Sequence, residues 1–181
     1  MTDVDDAELV RRTRAGDAAA FDTLVRRHFK SAYTVALAVM RNVMDAEDVC
    51  QDAFVRALER LDECREPARF GAWLGQITRR RALNALDARR VRATEPLEPD
   101  VAPGPSDAAR DVERAELGAQ LLAALAHLSD VQRTVVLMHD MDERTHKEIG
   151  DVVGCSEGMS RQHLFVARRV LRGHLRETRN G

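Results

Sequence analysis

Apolar residues along the chain recur at steps of three and four, and the places where that rhythm breaks mark helix ends. Asp5 to Ala15 carries Ala7, Val10 and Ala15 on one side and stops at Gly16. Asp17 then stands where an N-cap belongs. After it Ala20, Phe21, Leu24, Val25, Phe29, Ala32, Tyr33, Ala36, Leu37 and Met40 form one wide apolar stripe on a long helix. Asn42 and Asp45 mark a break and a new cap, beyond which Ala46, Val49, Ala53, Phe54, Ala57, Leu58 and Leu61 repeat the period. Asp62 to Glu66 reads as a polar loop. Pro67 takes the first-turn position that suits a residue without an amide hydrogen, and Phe70, Trp73, Leu74, Ile77, Leu83 and Leu86 predict the next helix.

The rhythm is lost from Val91 to about Asp111. That segment includes EPLEPDVAPGPSD, with four of the chain's five prolines, which predicts an extended, mobile linker. Val112 to Ala126 is amphipathic again. Ser129 with Gln132, and Thr145 with Glu148, have the spacing of a capping box, in which a hydroxyl and a side-chain acceptor satisfy the amides of a helix start. Thr145–Val153 then reads as a short helix, Gly154 as the left-handed turn that ends it, and Ser156 as the cap of the next. This is a helix-turn-helix, whose second helix suits the major groove of DNA. The expected architecture is all-α, with two small helical domains, residues 1–92 and 113–181, the second a helix-turn-helix. A flexible, acidic, Pro-rich linker over 93–112 joins them.

Composition agrees with helices, because aromatics, on which strands draw, amount to only 4% while hydrophobic residues reach 44%. Cys50, Cys64 and Cys155 form no CxxC pair, so neither a disulfide framework nor a zinc module is expected, and a reducing cytoplasm is. The start MTDVDDAELV lacks the apolar core of a signal peptide, and no apolar run approaches the roughly 20 residues that cross a bilayer. The expectation is a cytoplasmic chain with no direct membrane insertion.

Charge changes the picture more than composition does. The net charge of -2 hides a segregation. Residues 76–92 hold six Arg against Asp87, and residues 161–181 hold six Arg against Glu177, each +5. Residues 93–157 hold five basic against fourteen acidic side chains, or -9. Two basic islands separated by an acidic stretch suit two contacts with a polyanion, joined by a segment that avoids it. The plainer reading, that arginines merely complement helix ends, covers one island more easily than both. No paired carboxylates, phosphate-cradling glycine loop or activated serine or cysteine pattern stands out, and the six histidines are scattered. No enzyme activity, cofactor or metal is expected.

On the helix-turn-helix, Glu157, Arg161, Gln162, His163, Arg168 and Arg169 are the expected exposed side chains, with Thr145, His146 and Ser156 at the two helix starts. Arginine and glutamine can read purine edges bidentately, and further arginines can hold phosphates.

The stretch LSDVQRTVVLMHDMDERTHKEIGDVVGCSEGMSRQHLFVARRVLR resembles the fourth domain of extracytoplasmic-function sigma factors. The shared features are Leu128-Ser129, Glu148-Ile149-Gly150, Gly154-Cys155-Ser156 and the ending Ala167-Arg168-Arg169-Val170-Leu171-Arg172. AELVRRTRAGDAAAFDTLVRRH is similar to the family's opening helices, DAEDVCQDAFVRALERL to its polymerase-binding helix, and FGAWLGQITRRRALNALDARR to its promoter-melting helix. The resemblance implies that Asp45, Glu47, Asp48, Gln51 and Asp52 dock on core RNA polymerase, with Phe54 and Leu58 in the core. Read without it, Asp45 to Asp48 would only complement a helix start. It also implies that the loop Asp62–Arg69, with Arg65 and Arg69, captures an extruded base of the minus-ten element. Arg79, Arg80, Arg81 and Asn84 would then hold the separated strand, and Trp73 would be a core anchor. The implied partners are the largest subunits of the polymerase core, promoter DNA, and an anti-sigma factor, often membrane-anchored.

The chain departs from the family at Gly158-Met159-Ser160-Arg161-Gln162, where Ser160 occupies a position normally apolar. Packing through Met159 instead, or a slightly rotated helix, is expected. Gly150 replaces a usual alanine, which sterics tolerate, and Asp142-Glu143-Arg144 replaces a more apolar approach to the first helix. Two other functions stay open from the residues alone. One is a stand-alone helix-turn-helix regulator that needs no polymerase. The other is a helical adaptor whose arginines serve solubility.

Overall fold

The computed structural model describes residues 4–92 and 123–177. Seven α-helices are named among the described residues: α1 Asp6–Arg14, α2 Ala18–Met40, α3 Val43–Glu59, α4 Phe70–Arg92, α5 Asp130–Asp140, α6 His146–Val153 and α7 Glu157–Glu177. Two single 3-10 turns, Leu61–Glu63 and Pro67–Arg69, make up most of the α3–α4 connection. No described residue lies in a strand. The expected linker 93–112 and most of the amphipathic stretch Val112–Ala126 fall outside the described residues; of that stretch only 123–126 are described, and they are helical. No helix of the described residues is long and apolar enough to cross a membrane.

The helix starts follow side-chain chemistry. Asp5 caps α1 and Asp17 caps α2 by accepting amide hydrogen bonds. The α2–α3 break corrects one expectation: the cap is Asn42, whose side chain accepts from the Asp45 amide at 3.0 Å, and Asp45 sits inside the first turn. Both capping boxes are formed, Ser129 with Gln132 at the head of α5 and Thr145 with Glu148 at the head of α6. Each satisfies amides that a helix start leaves without partners.

Two apolar cores result. One gathers Val10, Leu24, Val39, Phe54, Phe70 and Leu74 from α1 to α4. The other gathers Val135, Met138, Ile149 and Leu164 from α5 to α7, and it also takes Val35 and Ala38 from α2. The two helical units are therefore not held apart, because α2 feeds both cores from different faces. Gly75 on α4 completes the seam. A β-carbon there would lie 2.7 Å from Cγ2 of Val152 on α6, so the missing side chain is what lets the helices approach.

Arg133, only 5% exposed, closes the seam with its guanidinium. It donates to the carbonyls of Leu125 at 2.9 Å, Leu128 at 2.6 Å and Ala38 at 2.5 Å. Ala38 lies within the last four residues of α2, where a helix leaves its carbonyls unpaired and partly negative. One buried cation thus caps the end of α2 and of the turn before α5. Burial, then the charge of Arg41, lowers the pKa of Arg133, yet an arginine keeps its proton in such a site.

Candidate nucleic-acid interface

The helix-turn-helix is built by α6, the turn and α7. Gly154 has φ 79°, the left-handed conformation that glycine adopts without steric cost, and its amide returns to the Gly150 carbonyl at 2.9 Å. Ser156 then caps α7 through the Met159 amide at 3.2 Å. The turn folds so closely over α6 that a β-carbon on Gly150 would sit 2.6 Å from the Cys155 carbonyl oxygen. The glycine is thus more than a tolerated replacement, since this turn rests directly on it.

The expected shift of α7 onto Met159 does not occur. Met159 is 52% exposed and Ser160 is fully buried. The Ser160 hydroxyl is paired with His146 Nδ1 at 3.0 Å, which explains how a polar residue occupies an apolar slot. Burial, followed by the charges of His139 and Arg161, holds the pKa of His146 below the ordinary histidine range. His139 stacks on His146 with ring centroids 4.9 Å apart. Three of the expected duplex-binding side chains are thereby given other work: Thr145 caps α6, Ser156 caps α7, and His146 joins α6 to α7.

On α7 the register leaves Glu157, Arg161, Gln162, Arg168 and Arg169 exposed and His163 half-buried. Arg161 is bonded to Glu157, and Arg168 donates to Asp140 at 2.5 Å. Both pairs are exposed to solvent and so readily exchanged for phosphate.

The N-terminal unit offers a second surface. A basin of about 500 Å³ lies between α3 and α4, lined by Arg56, Arg60, Arg80, Arg81 and Asn84 with Glu63, Trp73, Gln76 and Ile77; Arg56 and Arg60 are paired with Glu59 and Glu63 at its edge. It unites the expected Arg80, Arg81 and Asn84 with Arg56 and Arg60, which the sequence reading missed although they stand one helical turn apart. A smaller hollow of about 220 Å³ adjoins it, formed by Glu63, Cys64, Arg65, Glu66 and Arg69 of the loop over Ala72, Trp73 and Gln76. Trp73 packs on Phe70 with ring centroids 5.9 Å apart, as a core anchor would, and it also lines both hollows.

Two arginines expected on this surface are tied to the C-terminal unit. Arg69 pairs with Asp151 of α6, and Arg79 donates to Asp130 of α5 at 2.6 Å. Gln76 donates to the Asp151 carbonyl at 2.7 Å. The C-terminal unit therefore covers one margin of the basic face. Nε of Arg79 is buried without a hydrogen-bond partner among the described residues, a cost of about 1–3 kcal/mol that separation of the units would relieve.

The acidic residues expected on α3 are divided. Asp45 pairs with Arg89 and Asp52 with Arg81, whereas Glu47, Asp48 and Gln51 are exposed. Leu58 is 47% exposed and not in the core: it follows Gln51 by seven residues, which turns it within about 20° of the same direction. Met44, Val55 and Leu58 form with Gln51 one exposed apolar stripe along α3. Periodicity could not reveal it, because the stripe borders the buried one. Among the described residues no group of three or more His, Cys, Asp or Glu could hold a metal ion.

Comparison with known proteins follows the same division of the chain. Residues 24–92 match the Sigma-70 region 2 family model and residues 118–171 match that of Sigma-70, region 4. The ECF RNA polymerase sigma factor SigM of Mycobacterium tuberculosis is 33% identical over 163 residues, covering 90% of this chain and 81% of that protein. The probable RNA polymerase sigma factor RfaY of Xanthomonas campestris is 30% identical over 89% of this chain, which spans only 42% of that longer protein. Among solved structures, CnrH in complex with the cytosolic domain of CnrY superposes with a TM-score of 0.72 at 25% identity, over 95% of this chain and 97% of that one.

Proposed function

This chain belongs to the extracytoplasmic-function sigma factors of RNA polymerase, and from that premise we propose a division of labour among its surfaces. In this reading α3 docks on core polymerase, the α3–α4 basin and its loop take the minus-ten element, and α7 reads the minus-thirty-five element. The boundaries are those of the sequence: 1–92 for the first domain, 93–112 for the linker, 113–181 for the second. The chain performs no catalysis of its own, works in the cytoplasm, and has an anti-sigma factor as a further partner. The observation that carries the reading is the cationic basin over Trp73, built on the helix that follows the exposed α3 face.

A separated strand offers phosphates to Arg56, Arg60, Arg80 and Arg81 and an unstacked base to the hollow beneath Arg65 and Glu66. Extruding a base costs a few kcal/mol, which such a pocket with surrounding charge returns. The docking face has acidic groups, Glu47 and Asp48, beside the apolar stripe of Met44, Val55 and Leu58. That mixture suits an interface with charge at its edge and apolar anchors within.

Replacing Asp48→Arg together with Leu58→Arg is expected to weaken core binding about a hundredfold, since a rim charge and a buried anchor are lost together. Both sites are exposed, so the fold should survive, as circular dichroism would show. Fluorescence anisotropy with labelled sigma and purified core measures the effect. The reading as a whole is tested by promoter binding with and without core. Retention of promoter fragments only in the presence of core supports it. Tight binding to a palindromic duplex without core would instead indicate a stand-alone regulator.

A further inference from the structure

The loop that builds the small hollow has few backbone hydrogen bonds of its own. It is anchored on one side by the buried side chains of Leu61 and Cys64. Beside the Arg69–Asp151 pair, a further tether comes from α1. Arg14, the last residue of α1, donates from Nη2 to the carbonyls of both Leu61 and Cys64, each at 2.8 Å, and its Nε lies 3.6 Å from Asp62. The arginine side chain is 31% exposed, so these bonds are partly shielded from water.

α1 is itself firmly placed. Leu9 and Val10 are buried in the first core. Asp6 accepts from Arg27 at 2.6 Å and pairs with His28 Nε2 at 2.8 Å, and Arg27 also donates to the Val4 carbonyl at 2.9 Å. Arg12 closes the α1–α2 turn by two bonds to Asp17 at 2.9 and 2.6 Å. A continuous set of contacts thus runs from α2 through α1 to the back wall of the hollow.

We propose that Arg14 is a positioning residue for minus-ten selectivity: by holding the carbonyls of Leu61 and Cys64 it fixes the wall against which the extruded base is read. The inference rests on the assignment of base capture to this loop. Arg14 does not touch the hollow, whose sides are Glu63, Cys64, Arg65, Glu66 and Arg69. It acts on which base fits and leaves core docking and minus-thirty-five reading alone. Both bonds leave the single nitrogen Nη2, so the ammonium of a lysine at this position keeps the charge and can donate to both carbonyls where its stem reaches them.

The test is abortive initiation by the reconstituted holoenzyme on templates that differ by one base at each minus-ten position, with 2-aminopurine fluorescence reporting extrusion. Arg14→Ala is expected to lose about tenfold in discrimination at one position, the size of one good base contact, and to blunt the fluorescence rise there. Arg14→Lys should recover part of both, with core affinity unchanged throughout. A purely structural role would lower thermal stability without altering the preference. If wild type discriminates and both variants discriminate equally, the role of Arg14 is overturned while base capture stands. If wild type itself ignores every minus-ten substitution, base capture by the loop falls, and the role of Arg14 with it.

Discussion

Gly75→Leu is expected to open the molecule and raise its affinity for a single-stranded minus-ten oligonucleotide at least tenfold in the absence of core polymerase. Gly75 faces Val152 so closely that even a β-carbon would stand 2.7 Å from one methyl and 3.2 Å from the other. A leucine cannot be accommodated without moving α6 away from α4. Overpacking of this kind costs about 1–3 kcal/mol, and tenfold in an equilibrium corresponds to about 1.4 kcal/mol. Separation releases Arg69 from Asp151 and Arg79 from Asp130 and restores water to the buried Nε of Arg79. The proposed division of labour has polymerase hold the two units apart, so core-dependent transcription should persist in the variant. Filter binding of the oligonucleotide, beside a transcription assay, measures both outcomes.

Arg133→Met should lower the stability of the chain by about 3 kcal/mol or more, since each of three buried carbonyls loses its donor at about 1–3 kcal/mol. For a chain of this length that corresponds to a fall in midpoint of roughly 10 °C. Leu125 and Leu128 belong to the second unit and Ala38 to the first, so both the fold of the second unit and the seam are affected. Arg133→Lys should retain part of the loss, because one ammonium cannot reach three divergent carbonyls as the fork does. Thermal unfolding followed by circular dichroism decides it. An unchanged midpoint for Arg133→Met would show that the caps matter little.

Much of the fold could be read from local chemistry. The capping hydroxyls of Ser129 and Thr145, the glycine at 154 and the period of α2 act within a few residues of themselves, and each is found in its expected role. What could not be read is contact between elements far apart in sequence. Nothing near Gly75 announces Val152, and nothing near Arg79 announces Asp130, 51 residues away. Leu58 was misplaced because a leucine on the border between two faces fits either stripe. Ser160 was misjudged because the expectation counted apolar atoms at its position, whereas His146, 14 residues earlier, supplies a hydrogen bond instead. The candidate surfaces were legible as charge, and their partial covering by the other unit was not.

The central physical claim is that the two surfaces act together only when polymerase holds them apart. Two promoter elements that lie two helical turns apart on one duplex are separated by about 70 Å. Units whose helices touch at Gly75 and Val152 cannot span that length. The most direct measurement is resonance energy transfer between dyes at the exposed positions Glu59 and Arg172, in the free protein and after addition of core. High transfer in the free protein and a large fall on core binding is the predicted result. Transfer that stays high in a complex initiating transcription would contradict it.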